Sequence, residues 1–269
     1  MSSDSTKKTV LVAAGVCFVC AILVSSTTVS LAPKQTANKT LDRVQNILAA
    51  GDVKANGEDP NQVYKEKIKP VIIEVESGKI LDKSEYTADL NPEKFDIKKI
   101  VNIPEYTYQI PSSEDDAGIK KRPKYMVIYE VMGENDNVEK YIFPIYGKGL
   151  WSTLYGFIAL DKELKVIKGL TFYEHGETPG LGGEVDNPKW KESWKGKNAF
   201  DEDEKVIIQV IKGKVDQGSP QADHQIDGLS GSTLTTRGVD NLVRYWLSEN
   251  GYGPFLKSMR KAEGDHEKI

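Results

Sequence analysis

Between Asp227 and Thr236 the chain reads DGLSGSTLTT, with five hydroxyl side chains and two glycines in ten residues. Hydroxyls at this density suit two chemistries. One is structural: a serine or threonine can accept from backbone N–H groups at a helix entrance, and Ser230 or Ser232 would be the N-cap of the amphipathic run that follows. The other is attachment. A helix N-terminus offers unpaired N–H groups and the positive end of its dipole, which favours a phosphate there, and Gly228 and Gly231 let backbone or ligand approach closely. A cap accounts for Ser230, Gly231 and one threonine and leaves the other hydroxyls without a task.

A second stretch, EHGETPGLGGEV from Glu174 to Val185, is too rich in glycine and proline for regular structure. It can wrap a flat or anionic ligand with backbone N–H groups, with His175, Glu177 and Thr178 supplying side-chain contacts. The plain alternative is a connecting loop, but a polar connection has little use for Leu181 set between Gly180 and Gly182. A third stretch, GKGLWSTLYGF from Gly147 to Phe157, places Leu150 and Trp151 among glycines at a strand entrance.

Other chemistries find no support. The three histidines, His175, His224 and His266, lack ligand-like spacing with the acids, which argues against zinc. There is no Gly-x-Ser-x-Gly turn for a hydrolase and no phosphate-loop or dinucleotide glycine pattern. Both cysteines, Cys17 and Cys20, fall in an apolar N-terminal run, so residues after it have no thiol for disulfides, iron–sulfur ligation or nucleophilic catalysis.

The elements that must position these stretches read as follows. Leu41, Val44, Ile47 and Leu48 recur at helical spacing up to Gly51, VYKEKIKP reads as a short helix stopped at Pro70, and VIIEVE from Val71 reads as a strand. PKYMVIYEVM and VEKYIFPIYG form a hairpin across GENDN, and TLYGFIAL, KVIKGLTFYE and EKVIIQVIKG add three strands. A helix then carries Leu234, Val239, Leu242 and Trp246 and ends near Gly251 and Pro254. The expected fold is α+β: a mainly antiparallel twisted sheet flanked by helices, preceded by one transmembrane helix. The expected organisation is 1–8, a cytoplasmic N-terminus; 9–32, a membrane anchor; 33–121, a helical and irregular membrane-proximal region; and 122–269, the ligand-binding domain.

The formal net charge of −4 is dispersed, which argues against a nucleic-acid footprint. Lys7 and Lys8 precede an uncharged stretch from Thr9 to Ala32, long enough for the roughly 20 residues that cross hydrocarbon. Its strongly apolar part ends near Val24, which is nearer the length of a signal peptide. Leu31 and Pro33 around Ala32 suit a cleavage site poorly, so a retained anchor is expected. The two lysines place its N-terminus in the cytoplasm and the remainder outside the inner membrane.

Taken together, DGLSGSTLTT, HGETPGLGG, GKGLW and the N-terminal anchor resemble the C subunits of the sodium-translocating NADH:quinone oxidoreductases along nearly the whole chain. In that family an Asp-Gly-x-Ser-Gly-Ala-Thr pattern marks a threonine esterified to the phosphate of FMN. Here it reads Asp227, Gly228, Leu229, Ser230, Gly231, Ser232 and Thr233, with serine where the family usually has alanine. The resemblance implies covalent FMN on Thr233, with Ser232, Thr235 and Thr236 as competing hydroxyls. It also implies flavin contacts from Leu150, Trp151, Glu177, Thr178, Gly180, Leu181 and Gly182.

No His or Lys stands near in sequence to activate a threonine. The family relies on a separate flavin transferase that uses FAD, which makes Thr233 a modified residue rather than a catalytic one. The implied role is a one-electron carrier working with the B, D and E subunits, passing electrons from a membrane iron–sulfur centre toward the flavin of the B subunit and catalysing nothing alone. Two rivals share many of these features: the G subunit of an Rnf-type ferredoxin:NAD oxidoreductase, and a membrane-tethered module that holds a phosphate-bearing ligand without a covalent bond.

Overall fold

The computed structural model describes residues 5–266. By contact the chain separates into two units, Met1–Arg43 and Val44–Ile269. The first is made of the greater part of helix α1 (Thr6–Ala50). An 18-residue window of this helix reaches a mean hydropathy of 2.4 with no buried residue, so it is long and apolar enough to cross a membrane. Pro33, the first residue after the expected anchor, does not interrupt the helix and lies inside it. A proline removes one backbone bond, and the turns around it are intact. Thr36 and Thr40 donate their hydroxyls to the carbonyls of Ala32 and Thr36 instead of competing for the backbone N–H groups.

In the second unit the last turns of α1 bury Val44, Ile47, Leu48 and Ala50, and Gly51 follows the helix as the spacing predicts. A short helix, α2 (Pro60–Lys67), leads into β1 (Ile68–Glu74). Pro70 therefore does not stop a helix. It sits within β1 opposite Tyr129, and β1 is an edge strand, where a missing N–H costs no ladder bond. Residues 77–121, which show little period, form short pieces: α3 (Ile97–Ile100), β2 (Thr107–Gln109) and, paired with it, β3 (Lys121–Pro123). Leu81, Leu90, Phe95 and Ile100 anchor this region in the core.

The main sheet holds β1, β4 (Tyr125–Met132), β5 (Val138–Lys148), β6 (Thr153–Asp161) and β7 (Ile167–Glu174) in that order, every neighbour antiparallel. The expected hairpin and the next two strands are all present. Register positions the site. Lys148 pairs with Thr153 and Tyr155 with Glu174, so the 149–152 turn and the loop after β7 leave the sheet at the same end.

The last of the expected strands, EKVIIQVIKG, is largely absent. Of it, β8 (Gln209–Val210) pairs in parallel with β9 (Gln225–Ile226), and Val206 makes a single antiparallel bridge with Phe200. The rest of its backbone bonds are mixed: Ile207 and Ile208 donate to the Ala199 carbonyl, Arg244 donates to the Ile208 carbonyl and Asp240 accepts from the Val210 N–H. Before it, α4 (Pro188–Glu192) follows a 3-10 turn over Gly182–Asp186, so the glycine loop is not wholly irregular.

Helix α5 (Thr233–Leu247) runs back along β5. A Cβ on Gly238 would strike the Lys148 carbonyl, and further along the Trp246 indole donates to the Tyr146 carbonyl at 2.7 Å. Val239, Leu242, Val243 and Trp246 are buried on this face, which sets the N-terminus of α5 at the same sheet end as the two loops. Pro254 opens a further helix, α6 (Gly253–His266), rather than closing α5, consistent with proline being tolerated in a first helical turn.

Candidate functional site

The three stretches meet around one carboxylate. Glu177, 5% exposed, accepts from the backbone N–H groups of Leu150, Trp151 and Ser152 at 3.0–3.2 Å. Its Oε2 also accepts from the Thr235 hydroxyl at 2.6 Å. Burial pushes the Glu177 pKa up, but the Thr235 hydroxyl and the three N–H groups outweigh it and hold the carboxyl below its ordinary range. Ser152 adds a second tie, its Oγ accepting from the Gly176 N–H at 2.6 Å.

His175 steadies the same loop. Its Nδ1 accepts from the Glu177 N–H at 3.2 Å, which leaves Nε2 to donate to Asp186 at 2.7 Å. Gly182 is pressed over Thr235: a Cβ there would lie 2.6 Å from Thr235 Oγ1. Leu181 reaches the hydroxyl cluster, within 3.0 Å of where a Gly231 Cβ would stand. The Thr178 carbonyl accepts from Leu181 and Gly183, and Gly180, at φ +74°, turns the chain between them.

The five hydroxyls divide sharply. Ser232, Thr235 and Thr236 are buried and engaged: Ser232 donates to Thr235, Thr235 to Glu177, and Thr236 accepts from the Leu229 N–H at 3.0 Å. Ser230 and Thr233 are exposed. Among the described residues Thr233 has no hydrogen-bond partner for its hydroxyl, and it lines a cavity of about 250 Å³ together with Lys212, Gly228 and Arg237.

Ser232, not Ser230, occupies the N-cap of α5, yet it makes no side-chain capping bond because its hydroxyl is turned to Thr235. The Ser232 N–H donates to the Leu229 carbonyl and that of Thr236 to Ser232, and among the described residues the N–H groups of Thr233, Leu234 and Thr235 between them reach no carbonyl. The orphan donors of the helix entrance are therefore free for a ligand.

Asp227 is spent elsewhere. Its carboxylate accepts from Lys214 and the Val215 N–H at 2.7 and 2.8 Å, and its carbonyl accepts from the Trp190 indole. Burial works against ionisation, but those two donors hold its pKa low. Its role is to hold the 213–215 segment and α4 against the motif. Gly228 allows that packing, since a Cβ would strike the Ile211 carbonyl.

Among the described residues of the second unit, the exposed large apolar side chains are Ile80, Leu150, Trp151, Leu181 and Leu234. Four of these five belong to the three stretches, and exposed apolar groups gathered this way mark a binding surface. With an unpaired hydroxyl, free helix N–H groups and nearby cations, the donor set suits a flat ring carried on a phosphate. Sequence reasoning missed Thr235 as the partner of Glu177, and missed Lys212 and Arg237 altogether. Arg237 was legible one turn beyond Thr233 on the same helix face. Lys212 was hidden by the strand expected there.

Residues 149–248 match the family described as FMN-binding domain, and every site residue above lies inside that span. The chain is 42% identical over 266 residues to the C subunit of the Na(+)-translocating NADH-quinone reductase of Pseudomonas aeruginosa, covering 97% of this chain and 99% of that protein. It is 39% identical over 262 residues to the C subunit of the same name from Vibrio alginolyticus, covering 97% and 98%. In structure it is similar to Shewanella oneidensis NqrC, with a TM-score of 0.75 and 32% identity over 84% of this chain and 99% of that one. The agreement in sequence runs through anchor, sheet and motif alike, and this chain belongs to the family of Na(+)-translocating NADH-quinone reductase C subunits.

Proposed function

We propose that this chain is the membrane-anchored, flavin-bearing electron carrier of a sodium-translocating NADH:quinone reductase, with FMN joined through its phosphate to Thr233 Oγ1. The observation that carries the reading is the division of hydroxyls. Of the five in the motif, only Thr233 is at once exposed, without a hydrogen-bond partner and on the wall of the cavity. When bound, FMN supplies a ring that takes up and returns electrons.

The chain's own residues supply placement. Leu181, Leu150 and Trp151 offer apolar surface for a ring, and Thr178, Gly180 and Gly182 shape the loop that presents Leu181. Glu177 and Thr235 fix the two loops to the helix entrance. Gly228, Ser230, Gly231 and Ser232 bring the backbone close to the phosphate, and Asp227 holds the motif from behind.

Among the described residues no base is hydrogen-bonded to the Thr233 hydroxyl. Asp240, in the wall of the same cavity, accepts from the Val210 N–H, and the Glu177 oxygens are shared between the Thr235 hydroxyl and the 150–152 N–H groups. Attachment therefore falls to a separate flavin transferase, and the chain catalyses nothing alone. Electrons pass from a membrane iron–sulfur centre toward the flavin of the B subunit, with the D and E subunits as further neighbours. The helix crosses the inner membrane once, N-terminus inside, with the 122–269 domain outside.

Peptide mapping of membrane-isolated protein tests this. FMN-ester mass on the peptide bearing Thr233 is expected. The same mass on Ser232 or Thr235, or none on protein from a host that carries the transferase, overturns it.

A further inference from the structure

The cavity beside Thr233 is lined on one side by α5 and on the other by the 209–213 segment. Thr233, Thr236, Arg237 and Asp240 stand at i, i+3, i+4 and i+7, one helix face. Thr235, Gly238 and Leu242 occupy the opposite face, against Glu177 and β5. Two cations, Lys212 and Arg237, border the cavity from its two sides. Among the described residues neither has an ion-pair partner, whereas neighbouring Lys214 is paired with Asp227 at 2.7 Å.

The wall that carries Lys212 is fixed. Ile211 N–H donates to the Ile226 carbonyl, Gly228 N–H donates to the Gly213 carbonyl, and Val210 N–H donates to Asp240 at 2.7 Å. Asp240 is the carboxylate in the lining. It is engaged by that N–H, and burial raises its pKa against the pull of the N–H and of Arg244.

We propose that Lys212 and Arg237 are a phosphate-binding pair, specific to the phosphate of a flavin nucleotide placed at Thr233. The proposal rests on the reading of Thr233 as the attachment residue and adds the groups that recognise what is attached. Two positive charges bordering one small space favour an anion between them. A phosphate monoester carries about −1.5 to −2 at neutral pH, which matches the two positive charges. The space of about 250 Å³ has room for a phosphate and the start of a polyol chain, and the exposed Leu181 and Trp151 offer apolar surface for the ring outside it. Lys212 and Arg237 make and break no bond. They attract the flavin's phosphate to the Thr233 hydroxyl and, after attachment, face the single negative charge of the phosphodiester.

The test uses full-length Thr233→Ala protein in detergent, which cannot be esterified at that position, titrated with FMN, riboflavin, AMP and inorganic phosphate. Flavin anisotropy is expected to show FMN bound at least about tenfold more tightly than riboflavin. The Lys212→Gln/Arg237→Gln change in the same background should erase that preference, leave riboflavin binding unchanged, and flatten the salt dependence. Both side chains are exposed, so near-ultraviolet circular dichroism should be unaltered. Equal binding of FMN and riboflavin overturns the proposal. So does a preference that survives the double change, or displacement of FMN by AMP or phosphate near the Kd of FMN itself. Ester mass on the otherwise unchanged protein is read separately, so failure of the phosphate pair and failure of the attachment reading are distinguished.

Discussion

Thr235 Oγ1 donates to Glu177 Oε2 at 2.6 Å across 58 residues of chain, and both side chains are buried. This bond joins the helix entrance to the glycine loop, and through the same carboxylate to the Leu150–Ser152 turn. Without it the glycine loop and the turn would stay bonded to each other, through Glu177 and Ser152, but the hydrogen bond that ties them to the helix entrance would be lost. With it they form one surface whose single unengaged, cavity-lining hydroxyl is Thr233.

The bond should be measurable in stability. Glu177→Gln keeps the shape but presents an amide N–H₂ to donors that need an acceptor, and unmet buried donors cost about 1–3 kcal/mol each. A loss of about 2–4 kcal/mol is expected from urea unfolding of the detergent-solubilised chain. Hydrogen exchange at Leu150, Trp151 and Ser152 should accelerate with it. Unchanged protection at those three amides would show that Glu177 does not hold the turn.

Thr233 and Thr235 should separate attachment from stability. Thr233→Ala removes an exposed hydroxyl without a partner and is expected to change stability by less than about 0.5 kcal/mol while abolishing covalent flavin. Thr235→Ala leaves Thr233 in place but strips a donor from Glu177 and opens space in the core, costing about 1–3 kcal/mol. In-gel flavin fluorescence with parallel thermal melts reads both effects. The assignment fails if the two variants exchange phenotypes.

How far the sequence carried these conclusions depended on what kind of contact each residue makes. Strands β4 to β7 were legible as continuous apolar, β-branched runs, buried on both faces, and α5 by the helical spacing of its apolar face. Segment 204–213 has the same β-branched composition and misled. Its backbone partners are scattered over Ala199, Ile226 and the side chains of Asp240 and Arg244, which no local pattern records. Pro70 misled in a similar way, since only the sheet order makes β1 an edge where proline is tolerated. Glu177 was chosen from its loop, but its bond to Thr235 is a tertiary fact. The density of hydroxyls was visible from the start, whereas their division into buried and free needed the fold.

Gly182 gives a steric test of the same junction. A methyl there would stand 2.6 Å from Thr235 Oγ1 and 2.9 Å from Glu177 Oε2. Neither atom can retreat without giving up their bond, so Gly182→Ala is expected to cost about 1–3 kcal/mol. It should also lower flavin loading in a host that carries the transferase. Gly180→Ala makes a contrasting case: no atom lies near its Cβ, and its penalty comes from φ +74° alone. Thermal melts of the two variants should show Gly182→Ala as the more damaging. A larger loss at Gly180 would mean that the turn, not the press against Thr235, governs the loop.

The pH dependence of the junction follows from the depressed pKa of Glu177. Its ordinary value is 4.5, and the Thr235 hydroxyl and three N–H groups hold the folded value lower against the upward push of burial. Between the two values the unfolded chain binds more protons than the folded one, so stability falls as pH falls through that window. The contribution is complete above the ordinary value and disappears once pH drops below the folded one. Asp227, also held low, adds a loss of the same sign below its ordinary 3.8. Comparing the unaltered chain with Glu177→Gln at each pH cancels Asp227 and every other shared carboxylate. The difference in Tm between them should be constant from pH 7 to about 5.5 and shrink steadily below 4.5, as protonation leaves the wild-type side chain uncharged like its amide. A difference that stays constant down to about pH 3 would mean that the charge on Glu177 does not hold the junction together.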